Sequence, residues 1–448
     1  MNPCSLLAPH ALMPGGWARD VLLEWDDEGT LTSVTPDAVG SPCAAGPVVP
    51  GMPNLHSHAF QRAFAGLTEY RGEGEDSFWS WRDRMYRFAN AVTPEQLEDI
   101  ATHLYVEMLQ AGYTSVCEFH YLHHDPRGRP YADPAEMGRR IAAAAGRAGI
   151  GLTLLPVLYQ SSGFGGRPPL AAQRRFVNDV DALLGIAERL RTTGARVGVA
   201  PHSLRAVAPE ALRELLAGAH AGSPVHIHIA EQQREVDDCL AWSKRRPLHW
   251  LLENAAVDAR WCLVHATHAD AGELRAVAAA GATVGVCPST EANLGDGRFD
   301  APTYLAAGGA WGIGSDSHAG VDAAEELRWL EYTQRLATRQ RNVLATVEAP
   351  QLADRLWSEA AQGGALAAGR PVGTLSPGRR ADFLVLAGDA ALTHAQQLAC
   401  HVFARHPAGA IHEVWVGGRC RVAQGRHAID EPAQHAFAAA RAQLLREV

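Results

Sequence analysis

The chain of 448 residues has almost no lysine, no excess of positive charge, no paired-cysteine motif and no membrane-length apolar run. Lysine occurs once, at Lys244, so nearly all the basic side chains are arginines. The net charge of -9 and the scattered arginines argue against a nucleic acid or an anionic membrane as partner. The eight cysteines show no C-x-x-C spacing, and the N-terminus shows no secretion pattern. We therefore expect a cytoplasmic enzyme with reduced thiols.

The middle of the chain alternates between strand-like and helix-like segments. The first candidate strand precedes His56, and the other seven lie at residues 115–119, 152–158, 196–200, 225–229, 261–264, 283–287 and 312–314. Helix-like segments lie between them at about 94–111, 134–148, 172–192, 209–220, 235–254, 270–280 and 302–308. Eight strand–helix repeats predict an α/β fold of the (β/α)8 TIM barrel class.

Both ends of the chain have a different pattern from the middle. Short strands and turns dominate residues 1–48 and 370–430, which predicts a small β-sandwich domain formed from both ends. The barrel should then occupy residues 49–369, and residues 431–448 should form a C-terminal helix.

Metal-ligand residues follow several of the predicted barrel strands. His56 and His58 are separated by one residue, so in an extended segment both side chains lie on the same side. His228 lies at the end of the fifth strand and Asp316 follows the eighth, and barrel active sites form at the C-terminal strand ends. Three imidazoles and one carboxylate suit a catalytic divalent metal with an open position for water.

Three further residues are candidates for proton transfer. Asp316 can accept a proton from the attacking water, and Glu231, in the loop after His228, can deliver one to a substrate nitrogen. His265, at the sixth strand end, can hydrogen-bond the attacking oxygen or polarise the substrate. The structural alternatives are a helix N-cap for Asp316, a solvated loop carboxylate for Glu231 and a core histidine for His265.

These motifs resemble the amidohydrolase superfamily, and specifically its mononuclear deaminase branch. The resemblance is carried by Pro50-Gly51-x-x-x-x-His56-x-His58, His228-x-x-Glu231, His265 and Ser315-Asp316. It implies a barrel flanked by a β-sandwich from both termini, one divalent metal ion, most often Zn²⁺, and a homodimer. Binuclear members bridge two metals with a carbamylated lysine from the fourth strand, and this chain has no lysine near that strand. Iron or manganese would also fit these ligands.

A finer pattern points to a substrate. It is similar to branch members that hydrolyse N-formimidoyl-L-glutamate to N-formyl-L-glutamate and ammonia in histidine degradation. The matching segments are His56-Ser-His-Ala-Phe-Gln-Arg-Ala63, Trp79-Ser-Trp-Arg82, Glu118-Phe-His-Tyr121, His202-Ser-Leu-Arg205 and His226-Ile-His-Ile-Ala-Glu-Gln232.

The same resemblance implies a pocket for a small dicarboxylate substrate. Such a substrate needs fixed positive charge, and guanidinium groups bind carboxylates in bidentate geometry. Arg82 and Arg205 stand near the predicted site, and by the resemblance Gln61, Tyr121 and His202 complete the pocket. The alternatives are a deaminase of an aromatic heterocycle such as guanine, an imidazolone ring hydrolase and a non-catalytic scaffold. A scaffold should have lost some of the metal ligands, whereas this chain keeps all of them.

Overall fold

The computed structural model describes residues 4–41, 43–71, 78–404 and 410–447 of the chain. The strands are β1 Ser5–Met13, β2 Gly16–Trp25, β3 Leu31–Thr35, β4 Val48–Pro50, β5 Met52–Ser57, β6 Tyr113–His120, β7 Gly151–Leu158, β8 Arg196–Val197, β9 Ala200–Pro201, β10 Val225–Ile229, β11 Trp261–His265, β12 Thr283–Val286, β13 Ala310–Ile313, β14 Phe383–Leu386, β15 Ile411–Val416, β16 Arg419–Ala423 and β17 Arg426–His427.

The helices cover most of the connections between these strands. They are α1 Phe78–Ala91, α2 Pro94–Gln110, α3 Glu136–Ala148, α4 Val180–Arg191, α5 Pro209–Gly218, α6 Gln233–Ser243, α7 Pro247–Asn254, α8 Ala271–Ala280, α9 Pro288–Leu294, α10 Ala301–Ala306, α11 Ala323–Thr338, α12 Leu352–Ala368, α13 His394–Phe403 and α14 Asp430–Glu447. Two short 3₁₀ helices lie at Ala59–Phe64 and Ala171–Gln173. Among the described residues, no helix is long and apolar enough to cross a membrane.

The central strands form the predicted parallel barrel. One sheet runs β5-β6-β7-β8, with β9 paired to β7, and a second runs β10-β11-β12-β13. Parallel bridges join the two sheets, at Val199 with Val225 on one side and at Ser57 with Asp316 on the other. Every residue of β6 and β7 is buried, as expected for parallel strands covered on both faces. The (β/α)8 prediction is confirmed.

The two chain ends form the predicted β-rich unit beside the barrel. Its strands are hydrogen-bonded in one sheet in the order β17-β16-β15-β14-β4-β1-β2-β3. β4 lies between the N-terminal strand β1, to which it is parallel, and the C-terminal strand β14, to which it is antiparallel. The ring of Trp415 lies 5.6 Å from that of Trp25 and 5.5 Å from that of Phe383, centroid to centroid, so both ends contribute to one core.

Two predicted barrel strands are interrupted at glycines. The opening strand divides at Gly51 into β4, which belongs to the terminal sheet, and β5, which belongs to the barrel. A Cβ on Gly51 would lie 2.8 Å from the Cβ of Thr114, so only glycine allows this close approach to β6. The fourth strand divides at Gly198, where a Cβ would lie 2.5 Å from the carbonyl oxygen of Pro224. The predicted boundary at residue 49 falls inside β4.

Several helix predictions need correction. The segment 235–254 is two helices, because α6 ends where Lys244 takes a left-handed backbone with φ of +62° and α7 begins at Pro247. The segment 172–192 is α-helical only from Val180, where Asp179 caps the first turn. The start of α2 agrees with the sequence, since Thr93 and Gln96 form a capping box around Pro94. The C-terminal helix, predicted over 431–448, spans Asp430–Glu447.

Candidate active site

The four predicted metal ligands meet at the C-terminal rim of the barrel. His56 lies in β5, His58 follows that strand, His228 lies in β10, and Asp316 follows β13. The Asp316 amide donates to the His56 carbonyl at 3.0 Å, and the His58 amide donates to the Asp316 carbonyl at 3.3 Å. Asp316 holds a left-handed backbone with φ of +43°. The closure of the barrel between its first and last strands therefore brings these ligands together.

The donor atoms of the four side chains point at one another. His56 Nε2 lies 3.1 Å from His58 Nε2 and 2.9 Å from His228 Nε2. Asp316 Oδ1 lies 3.3 Å from Nε2 of both His56 and His58. Ligand atoms about 2.0–2.1 Å from a tetrahedral zinc ion are about 3.3–3.4 Å apart, so this cluster has the size of such a coordination shell. The four residues fit a divalent metal.

The protonation states of the cluster also suit metal binding. Burial lowers the pKa of His56 to about 3 and lowers that of His228 well below its usual value. Nδ1–H of His58 donates to the Phe119 carbonyl at 2.9 Å, and that of His228 donates to the His202 carbonyl at 3.1 Å, which leaves Nε2 free to ligate. Burial raises the pKa of Asp316, but hydrogen bonds and charges from His56 and His58 outweigh it and hold this pKa well below normal.

Glu231 and His265 lie beside the metal-ligand cluster. Nε2 of His265 lies 3.8 Å from Oε1 of Glu231 and 4.0 Å from Oδ2 of Asp316. Burial raises the pKa of Glu231, which favours the protonated acid. Burial lowers the pKa of His265, but Glu231, Glu291 and Asp316 outweigh it and raise that pKa to about 10. The arrangement can hold and transfer protons at a reacting nitrogen or oxygen.

Two buried glutamates that the sequence did not single out hold this pair in place. Oε1 of Glu291 lies 3.2 Å from Nδ1 of His265, so Nε2 of the same ring faces the ligand cluster. Glu235 accepts the backbone N–H groups of Ala230 and Glu231, at 3.1 and 3.2 Å. Ala230 is left-handed, with φ of +51°, and the two hydrogen bonds fix this turn. Neither glutamate carries a spacing signal, because each contact depends on how the loops fold back.

A pocket opens over the cluster, and its wall contains most of the predicted site residues. His56 lies beneath this wall. The predicted residues that line the pocket are His58, Gln61, Arg82, Tyr121, His202, Arg205, His228, Glu231, His265 and Asp316. Side chains that the sequence did not assign to the site complete the wall: Phe78, Trp81, Met85, Tyr86, Tyr159, Phe176 and Leu294. The pocket wall thus combines apolar and aromatic side chains with the charged and polar residues that were predicted for the site.

The two predicted arginines face this pocket without an acidic partner. Within the described residues, no carboxylate lies within 4.0 Å of Arg82 or Arg205, and the Nε of each is buried without a hydrogen bond. The Arg82 and Arg205 guanidinium carbons lie 4.5 and 5.8 Å from the Trp79 ring centroid. Two cations held against an aromatic ring are available for an anionic ligand.

Gln61, Tyr121 and His202 line the same pocket. Gln61 donates through Nε2 to the Tyr121 hydroxyl at 2.8 Å, and its own Oε1 is buried without a partner. The Tyr121 ring packs edge-on against His58, with centroids 5.0 Å apart. The His202 ring lies 4.9 Å from that of His228, and burial lowers the pKa of His202 well below normal. These groups offer neutral hydrogen-bonding partners between the metal ligands and the arginines.

A buried polar network supports the His56–His58 segment from behind. Glu118 accepts from the Ser57 hydroxyl at 2.6 Å, the Ala59 amide at 2.7 Å and the Tyr105 hydroxyl at 3.0 Å. The Ser57 hydroxyl also lies 3.2 Å from Nε2 of His318. The network fixes the residues on both sides of His58, and so fixes the direction of its ring.

We expect Glu118→Gln to lower the free energy of unfolding by about 2–3 kcal/mol, because an amide cannot accept all three of these hydrogen bonds while buried. The variant should also lose metal to a chelator faster than the wild type, since Ser57 and Ala59 flank His58. Urea denaturation and chelator competition measure the two effects. Glu95→Gln, which alters an exposed ion pair on α2, is the matched control. Unchanged values in Glu118→Gln would mean that this carboxylate does not organise the site.

Comparisons with known proteins identify the family of this chain. Residues 48–421 match the amidohydrolase family. The chain is 54% identical to formimidoylglutamate deiminase of Pseudomonas aeruginosa, over 98% of this chain and 99% of that protein. It is 29% identical to 8-oxoguanine deaminase of the same organism, over 84% of this chain and 82% of that protein. The crystal structure of an amidohydrolase from Brucella melitensis superposes with a TM-score of 0.93 at 48% identity, covering 99% of this chain and 100% of that one.

Proposed function

This chain belongs to the amidohydrolase family, and from that membership we propose that it hydrolyses N-formimidoyl-L-glutamate to N-formyl-L-glutamate and ammonia. It is a hydrolase that acts on a carbon–nitrogen bond. We place the reaction in histidine degradation, which fits the formimidoylglutamate deiminase activity of the relative at 54% identity.

The observation that carries the substrate assignment is that, in the part of the chain that the structure describes, the guanidinium groups of Arg82 and Arg205 lie in the pocket wall without a carboxylate partner. A dicarboxylate substrate would neutralise both of them, whereas guanine or another neutral heterocycle would leave both cations without a counterion. Glu231 and Glu235 raise the pKa of Arg205 against the lowering effect of burial, so this residue stays charged. The pocket therefore favours an anionic substrate.

We propose that one zinc ion is held by His56, His58, His228 and Asp316. When bound, a divalent ion of this kind supplies a water molecule whose pKa is lowered towards neutrality. A second group of possible ligands, His265, Cys287 and Asp316, shares one residue with the first. Burial raises the pKa of the Cys287 thiol well above normal, which disfavours the thiolate that a second metal would need. Metal analysis of the purified protein should give one equivalent, and two tightly held equivalents would contradict the proposal.

The side chains of the chain itself then manage the protons of the reaction. Asp316 has a carboxylate with a lowered pKa and accepts a proton from the attacking water. Water adds to the formimidoyl carbon while Asp316 takes one of its protons, and Glu231 donates a proton to the terminal nitrogen. Asp316 then passes its proton to this nitrogen and the new hydroxyl gives its proton to Glu231, so the carbon–nitrogen bond breaks, ammonia leaves and both carboxyl groups regain their starting states. His265, held by Glu291, donates a hydrogen bond from Nε2 to the incoming oxygen. The product keeps its second nitrogen as a formamide.

Ammonia release by the zinc-loaded protein tests the proposal. The panel is N-formimidoyl-L-glutamate, N-formimidoyl-L-aspartate, N-formyl-L-glutamate and guanine, with loss of imidazolone absorbance as a separate assay. We expect turnover of the formimidoyl amino acids, fastest with the glutamate compound, and none of the others. Turnover of guanine or of an imidazolone would reject the substrate assignment while leaving the metal chemistry intact. No turnover of any compound at full metal occupancy would favour the scaffold alternative.

We also propose that the protein works as a cytoplasmic homodimer without a nucleic-acid or membrane partner. All eight cysteines are free thiols, and four of them are buried, which suits a reducing compartment. The homodimer rests on the family resemblance. Light scattering of the purified protein distinguishes a dimer near twice the chain mass of 48.0 kDa from a monomer.

A further inference from the structure

A second cavity, of about 420 Å³, lies at the end of the barrel opposite the active site. One wall is formed by the barrel, at Gly149 and at Gly151, the first residue of β7. The other wall is formed by the terminal sheet, at Gly417 and Arg419. The cavity thus lies at the interface between the barrel and the terminal sheet, and the proposed reaction does not use it.

Arginines dominate the charged lining of this cavity. Arg370, Arg380, Arg419 and Arg421 all contribute to the wall, against two exposed acidic residues, Asp27 and Glu28. A third carboxylate, Asp382, is buried close by and accepts the Gly417 amide at 2.7 Å. Positive charge therefore exceeds negative charge around the cavity.

Three of these arginines keep buried donor atoms unpaired within the described residues, although Arg370 and Arg380 each donate one hydrogen bond to a backbone carbonyl. Across the described ranges, the one carboxylate within 4.0 Å of any of the four is Asp382, whose Oδ1 lies 3.9 Å from Nε of Arg380. The Nε atoms of Arg370, Arg380 and Arg421 are buried and have no hydrogen-bond partner in the described part of the chain. A buried, unpaired donor costs free energy, so these N–H groups would bind a hydrogen-bond acceptor that entered the cavity.

The crowding of these cations shows in their pKa values. Burial lowers the pKa of Arg370, and the charges of Arg380 and Arg196 lower it further, while Asp382 opposes the effect. Burial and the charge of Arg419 likewise lower the pKa of Arg421. An anion between them would remove this repulsion.

The backbone around the cavity leaves room for the guanidinium groups. A Cβ on Gly149 would lie 2.6 Å from Cζ of Arg421, and one on Gly151 would lie 2.8 Å from Nη2 of Arg370. Gly151 is not in the left-handed region, so its backbone conformation does not require glycine. Its lack of a side chain instead leaves room for Arg370. Arg370 is further held by a hydrogen bond of 3.2 Å from Nη1 to the Leu152 carbonyl.

We propose that this cavity binds a compact, multiply charged oxyanion that joins the barrel to the terminal sheet. Guanidinium groups from Arg370 and Arg421 would contact it from the two walls, with bidentate geometry available to each. Both inorganic phosphate and a small dicarboxylate have this chemistry. The site is independent of the substrate assigned to the active site.

The test is thermal unfolding of the metal-loaded full chain in phosphate, in succinate and in sodium chloride at matched ionic strength. Phosphate or succinate should raise the unfolding midpoint above that in chloride, because a ligand that binds the native state stabilises it. Arg421→Gln and Arg419→Gln should weaken the apparent affinity about tenfold or more. Arg426→Gln removes the same charge from the neighbouring strand β17, outside the cavity lining, and should leave the affinity unchanged.

Each outcome decides between the possibilities. A shift with phosphate alone identifies a phosphate site, and a shift with succinate alone identifies a dicarboxylate site. The succinate arm is repeated in Arg205→Met, so that binding in the active-site pocket is not counted. Equal midpoints in all three salts for the wild type would overturn the proposal, even if neither cavity variant folds. Equal losses of apparent affinity in Arg421→Gln and Arg426→Gln would also overturn it, since the effect would then come from the net charge of the protein and not from this cavity.

Discussion

Asp316→Asn is expected to reduce kcat for N-formimidoyl-L-glutamate by about 10³–10⁴-fold, since general-base catalysis alone contributes about 10²–10⁴-fold and this residue is also a proposed metal ligand. The amide oxygen of asparagine can still ligate, but the side chain can no longer accept a proton from water. The fold should survive, because asparagine tolerates the left-handed backbone that Asp316 adopts, with φ of +43°. Steady-state kinetics with metal analysis of the same sample measures the effect.

Asp322→Asn is the matched control for this variant. Asp322 lies six residues later and caps α11 by accepting the amides of Ala324 and Glu325 at 2.8 and 3.0 Å. Asparagine is an equally good N-cap, so both stability and kcat should stay close to the wild type. If Asp316→Asn retained its metal and kept kcat within about tenfold of wild type, the proton would have another acceptor.

The position of the metal ligands was predictable because it depends on one local rule and one rule of topology. Side-chain alternation puts His56 and His58 on the same side of an extended segment. The barrel rule then puts His228 and Asp316 on the same rim, since all eight strands point their C-terminal ends in one direction. The observed donor distances of 2.9–3.3 Å follow from these two rules.

The supports of the site were not predictable, because they join residues that are far apart in sequence. Glu118 contacts Ser57 across 61 positions, and Glu291 contacts His265 across 26. A single glutamate in a loop or strand has no periodicity that identifies its partner. The closing bridge between Ser57 and Asp316 depends in the same way on the whole barrel.

The helices were harder to place than the strands for a physical reason. Breaks such as the left-handed Lys244 depend on local packing that composition does not encode. The helix α1, which carries Arg82 into the pocket, was not predicted as a helix, although Arg82 itself was assigned to the site. The residue type of Arg82 thus indicated a role in substrate binding, although the sequence did not show that this residue lies on a helix.

The strongest test of the substrate is Arg205→Met, which removes a cation and keeps a side chain of similar length. We expect kcat/KM for N-formimidoyl-L-glutamate to fall on the order of 10²–10³-fold, because truncating one partner of a desolvated charge pair costs about 2–5 kcal/mol. Metal content should not change, since among the described residues no hydrogen bond or ion pair joins this guanidinium to His56, His58, His228 or Asp316. Kinetics over a range of substrate concentrations measures KM and kcat separately.

Arg234→Met separates this role from a general loss of positive charge. Arg234 lies over the same tryptophan ring, 4.8 Å from the Trp79 centroid, but its side chain is 64% exposed and pairs weakly with Asp238. Its replacement should change kcat/KM by less than about threefold, because exposed pairs contribute about 0–1 kcal/mol.

Formamidine, which carries the reacting amidine without a carboxylate, adds a second comparison. Arg205→Met and the wild type should hydrolyse it at the same slow rate if the arginine binds the carboxylate. A loss with formamidine equal to that with the full substrate would instead place Arg205 in the chemistry itself.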